Sequence, residues 1–307
     1  MFFQLEDVMK LKFDIQNKTQ PDPYIFADGG RYFLYVTAGR GVEAYSADSL
    51  EGIWRFEGIV CSIEGKRNYW APCIAKINGK YYLYFSCEGE GTWQRLYVAS
   101  ADNPLGPFRN EKLLFDRFSI DAHVVETAAG FFLFYAEDNK NTDRIGTRIF
   151  VDRLTDPETP AGLRVELLTP SFKEEMFKAN RYGDGKDWYT LEGPFWFEKD
   201  GWQYLMYSGA CYENDSYHIG YAVAKSTEPD LTKVHFEKHT LQGAFDPLMI
   251  KNDTEEGTGH HSVIEIKDQL YIVYHGRDTH PVQKQDEMRT ARFCRLFAEN
   301  GVLRVER

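Results

Sequence analysis

Five copies of one short pattern recur along the chain. In each, a turn containing Gly or Asp is followed by a Tyr- and Phe-rich strand: GGRYFLYVT, NGKYYLYFS, AGFFLFYAE, DGWQYLMYS and KDQLYIVYH. The central aliphatic residues of the copies are Leu34, Leu83, Leu133, Leu205 and Ile272, spaced 49, 50, 72 and 67 residues apart. A second strand candidate precedes each copy, joined to it by tight-turn dipeptides such as Asn78-Gly79 and Asp200-Gly201, which supply the positive φ of a hairpin. Each unit therefore reads as a meander of short antiparallel strands that cannot bury both faces alone. A ring of such units buries every face and leaves few open edges. The expected fold is all-β, a five-bladed β-propeller forming a single domain over residues 1–307, with residues 1–20 available as a strand that closes the last blade. A β-sandwich, or two stacked β domains, is the competing architecture. Helical periodicity is nearly absent; residues 170–178 (PSFKEEMFK) are read as a helical turn or two within a long loop.

Composition narrows the partners. Aromatic residues make up 15% of the chain, an excess that suits half-buried strands and sugar-stacking surfaces. The formal charge of -11 argues against nucleic acid or an anionic membrane, both of which need a basic surface. A neutral substrate fits better. The five cysteines (Cys61, Cys73, Cys87, Cys211, Cys294) form no CxxC pair and leave an odd number, as expected of reduced thiols. The segment MFFQLEDVMKLKF has no continuous apolar core, so the expected location is cytoplasmic. No run approaches eighteen apolar residues, which argues against a membrane-spanning helix.

The same register carries polar residues. Twelve or thirteen positions before the five anchors stand Asp22, Ala71, Asp121, Glu192 and His260. Equivalent positions on the inner strands of a ring converge on its axis, which gathers three carboxyls and an imidazole in one funnel. Repulsion and burial then raise the pKa of at least one carboxyl, a general acid, while a better-bonded one stays ionised. That pairing is what glycoside hydrolysis requires. Each residue also has a plain reading. Asp22, in Pro21-Asp22-Pro23, can cap a turn; Asp121 can pair with an arginine; Glu192, before Gly193, can be a solvated loop acid; His260 can be a satisfied structural histidine. Trp70, beside the small Ala71, is either a wall for a sugar ring or a core indole.

Together, Pro21-Asp22-Pro23, Tyr69-Trp70-Ala71-Pro72, Ile120-Asp121-Ala122-His123, Glu192-Gly193-Pro194 and Gly257-Thr258-Gly259-His260 resemble glycoside hydrolase family 43 from about residue 20 to the C-terminus. The resemblance implies a five-bladed propeller acting with inversion, mostly on arabinofuranosides, xylosides or arabinans. It implies Asp22 as general base, Glu192 as general acid, and Asp121 as the residue that orients the acid and raises its pKa. His260 corresponds to a pocket histidine near a central calcium ion or its water; no cofactor is otherwise required. Arg289 matches an arginine that reaches the sugar and the acids, with Arg292 and Arg295 as competitors on the same strand. The long insert 138–190 suggests a closed pocket and exo action. The segment TLEGPFWF…YLMYSG…YENDSYHIGYA favours α-L-arabinofuranosidase over β-xylosidase, or an enzyme accepting both. Two rivals remain at this point: a non-catalytic carbohydrate-binding propeller, and a fructan-acting or phosphorolytic one. The sequence leaves the oligomeric state open.

Overall fold

The computed structural model describes residues 9–16, 18–279 and 288–307, and among them regular structure is almost wholly β. The first blade runs outward through Tyr24–Asp28, Arg31–Val36, Val42–Ala47 and Ile53–Cys61. The second comprises Arg67–Ile77, Lys80–Gly89, Thr92–Ala101 and Arg109–Leu113. The third comprises Ile120–Thr127, Gly130–Asn139 and Gly146–Asp156, edged by Val165–Leu168. Trp188–Lys199, Trp202–Gly209, His218–Ala224 and Glu237–Lys238 build the fourth. Glu255–Ile266, Gln269–Asp278 and Thr290–Glu299 build the fifth.

The ring closes in the packing. Successive side chains of each second strand point to opposite faces, and both faces are buried. All five anchors are fully buried, and each faces the preceding blade. Leu34 meets Val273 and Phe293 of blade five, and Leu83 meets Phe33 and Tyr35 of blade one. Leu133 meets Tyr84 and Leu96, Leu205 meets Phe132 and Phe134, and Ile272 meets Tyr204 and Met206. Five apolar clusters thus fill five inter-blade interfaces, an arrangement that a two-sheet sandwich does not produce. The fold is a five-bladed β-propeller.

Met9–Lys10 pairs with Phe293 and Arg292 in the fifth blade, whose outer edge is also covered by Val302–Glu306. Three residues later Lys12–Phe13 runs parallel to Ile53–Trp54 of the first blade. The N-terminal segment therefore straddles the join between last and first blades; residues 1–8 and 17 of the anticipated closing strand lie outside the described residues. The stretch 170–178 contains less helix than anticipated. It forms one 3-10 turn, Lys173–Glu175, and then the strand Met176–Lys178, whose pairing with Trp188 and Tyr189 recruits it to the fourth blade. All five cysteines are buried and unpaired.

Candidate active site

The inner strands share a distortion at the place where they reach the axis. Asp22 (φ 54), Ala71 (φ 45), Asp121 (φ 62), Gly193 (φ 57) and His260 (φ 43) are all left-handed, and each lies twelve residues before its anchor. The strand ladders shift register there in blades two to five, between Trp70 and Cys73, Ile120 and His123, Glu192 and Phe195, and Gly259 and His261. Such bulges re-aim side chains, and four non-glycine residues in left-handed conformation on one ring mark a place where strain serves a site. The repeat also corrects one equivalence. The residue of blade four that matches Asp22, Asp121 and His260 is Gly193, not Glu192. Glu192 precedes it by one and matches Trp70 of blade two. Two layers result: Asp22, Asp121 and His260 at the axis, and Glu192 and Trp70 in the positions just before it.

These residues meet in one cavity of about 120 Å³, lined by Asp22, Thr37, Trp70, Ile120, Asp121, Glu192, Tyr212, Tyr217, His260 and Arg289. Every site residue read from the sequence borders it except Ala71, which lies buried just beneath. A larger groove, about 680 Å³, opens beside Lys10, Asp253, Asp278 and Arg292 at the outer edge of blade five. Lys10 and Arg292 there both pair with Asp278, and none of the carboxyls and imidazoles of the repeat reaches it.

Asp22 is buried and well bonded. Thr37 Oγ1 donates to its Oδ2 at 2.5 Å, and Arg289 Nη1 stands 3.4 Å from Oδ1. His275 Nδ1 and His260 Nδ1 lie 3.3 and 3.5 Å from the same oxygen. Burial alone would raise its pKa, but His260, Arg289 and His275 outweigh burial and hold the carboxyl well below the usual range. The two rings are not equal partners in this. The Asp22 amide N–H donates to His275 Nδ1 at 3.1 Å, so that nitrogen carries no proton, and burial pushes the His275 pKa down to about 3. Burial lowers His260 as well. Both imidazoles are thus neutral at neutral pH, and Arg289 supplies the lasting positive charge.

Glu192 behaves oppositely. Burial raises its pKa, Asp22 adds repulsion, and Tyr217, Arg289 and Arg181 oppose them; the carboxyl is pushed up to about 7. Tyr217 Oη donates to its Oε1 at 2.6 Å. Asp121 is raised as well, first by burial, then by Glu192 and Asp22, and its Oδ2 accepts the Gly193 N–H at 2.8 Å. That bond grips the peptide next to the acid. Gly193 tolerates the left-handed turn that presents this N–H, and a Cβ there would be strained by the backbone while only touching His260.

Three partners unread in the sequence sit in a register of their own. Three positions after the anchors stand Thr37, Ser86, Ala136, Ser208 and His275. Thr37 bonds Asp22 and accepts the Ala71 N–H at 2.8 Å; Ser208 Oγ accepts the His260 N–H at 2.7 Å; His275 faces Asp22. The repeat that located the anchors could have found them. Tyr212 and Tyr217 lie between strands, where no periodicity points to them. Of the competing arginines, Arg292 is buried between Glu255 and Asp278, and Arg295 is exposed beside Glu306. Arg289 alone of the three borders the cavity.

The residues around His260 were tested as a calcium site. A hard cation takes six to eight oxygens. His260 offers nitrogen, and no group of three or more His, Cys, Asp or Glu has ligating geometry among the described residues. A void of about 10 Å³ is bordered by Asp22, Asp121, His260 and His261 and otherwise by apolar groups such as Pro23, Pro72 and Pro194. Two carboxylates and two imidazoles fall short of the oxygen shell calcium takes, so these side chains do not make a protein cage for it.

A propeller that closes a protonated and an ionised carboxyl into one axial pocket has the machinery of a glycoside hydrolase. The chain belongs to glycosyl hydrolases family 43, whose family model matches residues 14–296. It is 24% identical over 286 residues to an extracellular exo-α-(1→5)-L-arabinofuranosidase of Streptomyces chartreusis, covering 85% of this chain and 80% of that one. It is 26% identical over 285 residues to a probable arabinan endo-1,5-α-L-arabinosidase C of Aspergillus clavatus, covering 84% and 82%. The crystal structure of a thermostable family-43 glycoside hydrolase superposes with a TM-score of 0.80 at 29% identity, covering 98% and 96% of the two chains.

Proposed function

We propose that this enzyme is an inverting, exo-acting α-L-arabinofuranosidase that releases terminal arabinofuranose from arabino-oligosaccharides or arabinoxylan-derived oligosaccharides. The observation that carries the reading is the opposite displacement of two carboxyls on one small cavity: Asp22 held ionised, Glu192 held protonated until about pH 7. In this mechanism the Glu192 proton passes to the leaving oxygen, which takes the electron pair of the breaking C–O bond. Asp22 removes a proton from the water that attacks the anomeric carbon from the opposite face. Inversion requires room for that water, which sets the two carboxyls roughly 6.5–9.5 Å apart. Asp121 holds the Gly193 peptide beside Glu192, so it orients the acid. Trp70, 38% exposed at the pocket wall, offers its face to the sugar ring, and Ala71 leaves room beside it.

Exo action is supported by the size of the cavity and by the insert beside it. Phe177 of the insert lies 6.3 Å, centroid to centroid, from Tyr212, which borders the cavity and stacks under Arg289 at 4.8 Å. The test is hydrolysis of paired aryl α-L-arabinofuranoside and aryl β-D-xyloside substrates, with NMR of the first-formed anomer. Faster cleavage of the arabinoside with inversion supports the proposal; a dominant xylosidase activity replaces the sugar assignment. Asp22→Ala and Glu192→Ala should each lower kcat by about 10²- to 10⁴-fold with the fold intact. Full activity in both variants would remove the assignment of acid and base.

A further inference from the structure

Tyr217 is almost wholly buried, yet its hydroxyl is spent on a single partner, Glu192. Its placement is tightly determined. The ring stacks on His275 with centroids 5.7 Å apart and planes 10° from parallel. On another side it leans on Gly259, where an added Cβ would lie 1.9 Å from Tyr217 Cε1. His275 in turn accepts the Asp22 amide N–H. A continuous strut therefore runs from the base, through His275 and Tyr217, to the acid.

We propose that Tyr217 is a positioning residue that decides which oxygen of Glu192 carries the catalytic proton. The inference rests on the reading of Glu192 as general acid. A carbonyl oxygen accepts a hydrogen bond better than a hydroxyl oxygen does, so the phenol that donates to Oε1 keeps Oε1 as the carbonyl and the carboxylic acid places its hydrogen on Oε2. As the glycosidic bond breaks, the Oε2–H bond breaks too, its proton joins the leaving oxygen, and Tyr217 keeps its hydrogen bond to the new carboxylate. Burial and the neighbouring Glu192 and Asp22 hold the phenol pKa well above its ordinary value, so Tyr217 stays a donor across the working range. The charged and titratable groups bearing on Glu192 are Asp22, Asp121, Arg289, Arg181 and Cys211, besides Tyr217 itself.

Tyr217→Phe tests this, because it keeps the ring, the stack and the contact with Gly259. Two aryl arabinofuranosides are compared with an arabino-disaccharide, one aryl group being a dinitrophenol that leaves without protonation. With the disaccharide kcat is expected to fall about ten- to a hundredfold, a part of what general acid catalysis is worth. With the dinitrophenyl substrate it should hardly change. The basic limb of the pH profile of kcat/KM should move upward, since a donor that favours the carboxylate has been lost. Equal losses on all substrates with an unmoved limb would overturn the proposal. Should Tyr217→Phe fail to fold, a ring-fluorinated tyrosine at position 217 keeps the shape and strengthens the donor, and the limb must then move downward; an unmoved limb again overturns it. Glu192→Ala assayed on the same substrates separates the two readings. Undiminished disaccharide hydrolysis there removes the acid itself, whereas a large loss there with a silent Tyr217→Phe removes only the role of Tyr217.

Discussion

Arg289 Nη1 lies 3.4 Å from Asp22 Oδ1 while its guanidinium covers the face of Tyr212 at 4.8 Å. The main chain fixes this geometry, because Gln20 N–H, two residues before the base, donates to the Arg289 carbonyl at 2.8 Å. At neutral pH, with the His260 and His275 rings uncharged, the guanidinium is the positive charge that faces Asp22, and His260 joins it as pH falls. As the proposed base, Asp22 works only when ionised, and in that mechanism its pKa sets the acidic limb of kcat/KM. Arg289→Met should raise that pKa and shift the acidic limb upward by about one pH unit or more. A pH series with an aryl arabinofuranoside measures it, and a limb that stays in place would refute the coupling.

Glu192 links catalysis to stability. Its folded pKa, about 7, lies above the ordinary glutamate value, so the native state keeps a proton that the unfolded chain has already released. Its contribution to stability is complete below the unfolded pKa and is lost as pH rises through 7. Glu192→Gln removes this penalty without changing shape. The variant should therefore melt a few degrees above the parent at pH 8 and close to it near pH 4, with little activity at either. Identical melting curves at pH 8 would show that the acid is not held protonated by the fold.

The ring itself was legible because it is written as a repeat. Residues such as Leu34 and Ile272 alternate with a period of two and must bury both faces, and a fivefold repeat of that kind closes on itself. Asp22, Asp121 and His260 were legible for the same reason, since they occupy the same left-handed position on their strands. Glu192 entered through a thirteen-residue offset; the bulge displaces it to the layer of Trp70, and only coordinates separate the two layers. Tyr212 and Tyr217 could not be read, because they sit in a connection whose path depends on close approaches such as that to Gly259 rather than on any period. Thr37, Ser208 and His275 were within reach, three residues after the anchors, masked by the strand pattern that runs up to Thr37 and on through Ser208 and His275.

Thr37 gives that second register an energetic test. Its hydroxyl donates to Asp22 Oδ2 and accepts from the Ala71 N–H, which ties blade one to blade two at the axis. Thr37→Val keeps the volume and leaves a buried N–H unsatisfied, a loss of roughly 1–3 kcal/mol. Asp22 also loses a donor, so kcat/KM should fall about tenfold at low pH, where the base is most sensitive. Thr37→Ser should recover both quantities. Urea denaturation and the pH profile together decide it, and a Val variant with unchanged stability and activity would contradict the bonds.

The last prediction concerns the insert that flanks the pocket. Glu175, fully buried, accepts the backbone N–H groups of Ser171 and Phe172 at 2.6 and 3.0 Å and the Tyr207 hydroxyl at 3.1 Å. Its counter-charge is Lys238, 2.5 Å away, whose ammonium also reaches the Thr169 carbonyl at 2.8 Å. Burial pushes the Lys238 pKa down to about 8 even with Glu175 beside it, the signature of an ammonium taken out of water. Lys238→Met strands the carboxylate, and breaking a buried pair from one side costs roughly 3–5 kcal/mol. The same bonds hold the turn that leads to Phe177, which packs against Tyr212 at the pocket wall. Loosening them should therefore raise KM for oligosaccharides more than it lowers kcat. Urea melts and steady-state kinetics on one preparation test both halves; a destabilised variant with unaltered KM would place the clamp in stability alone.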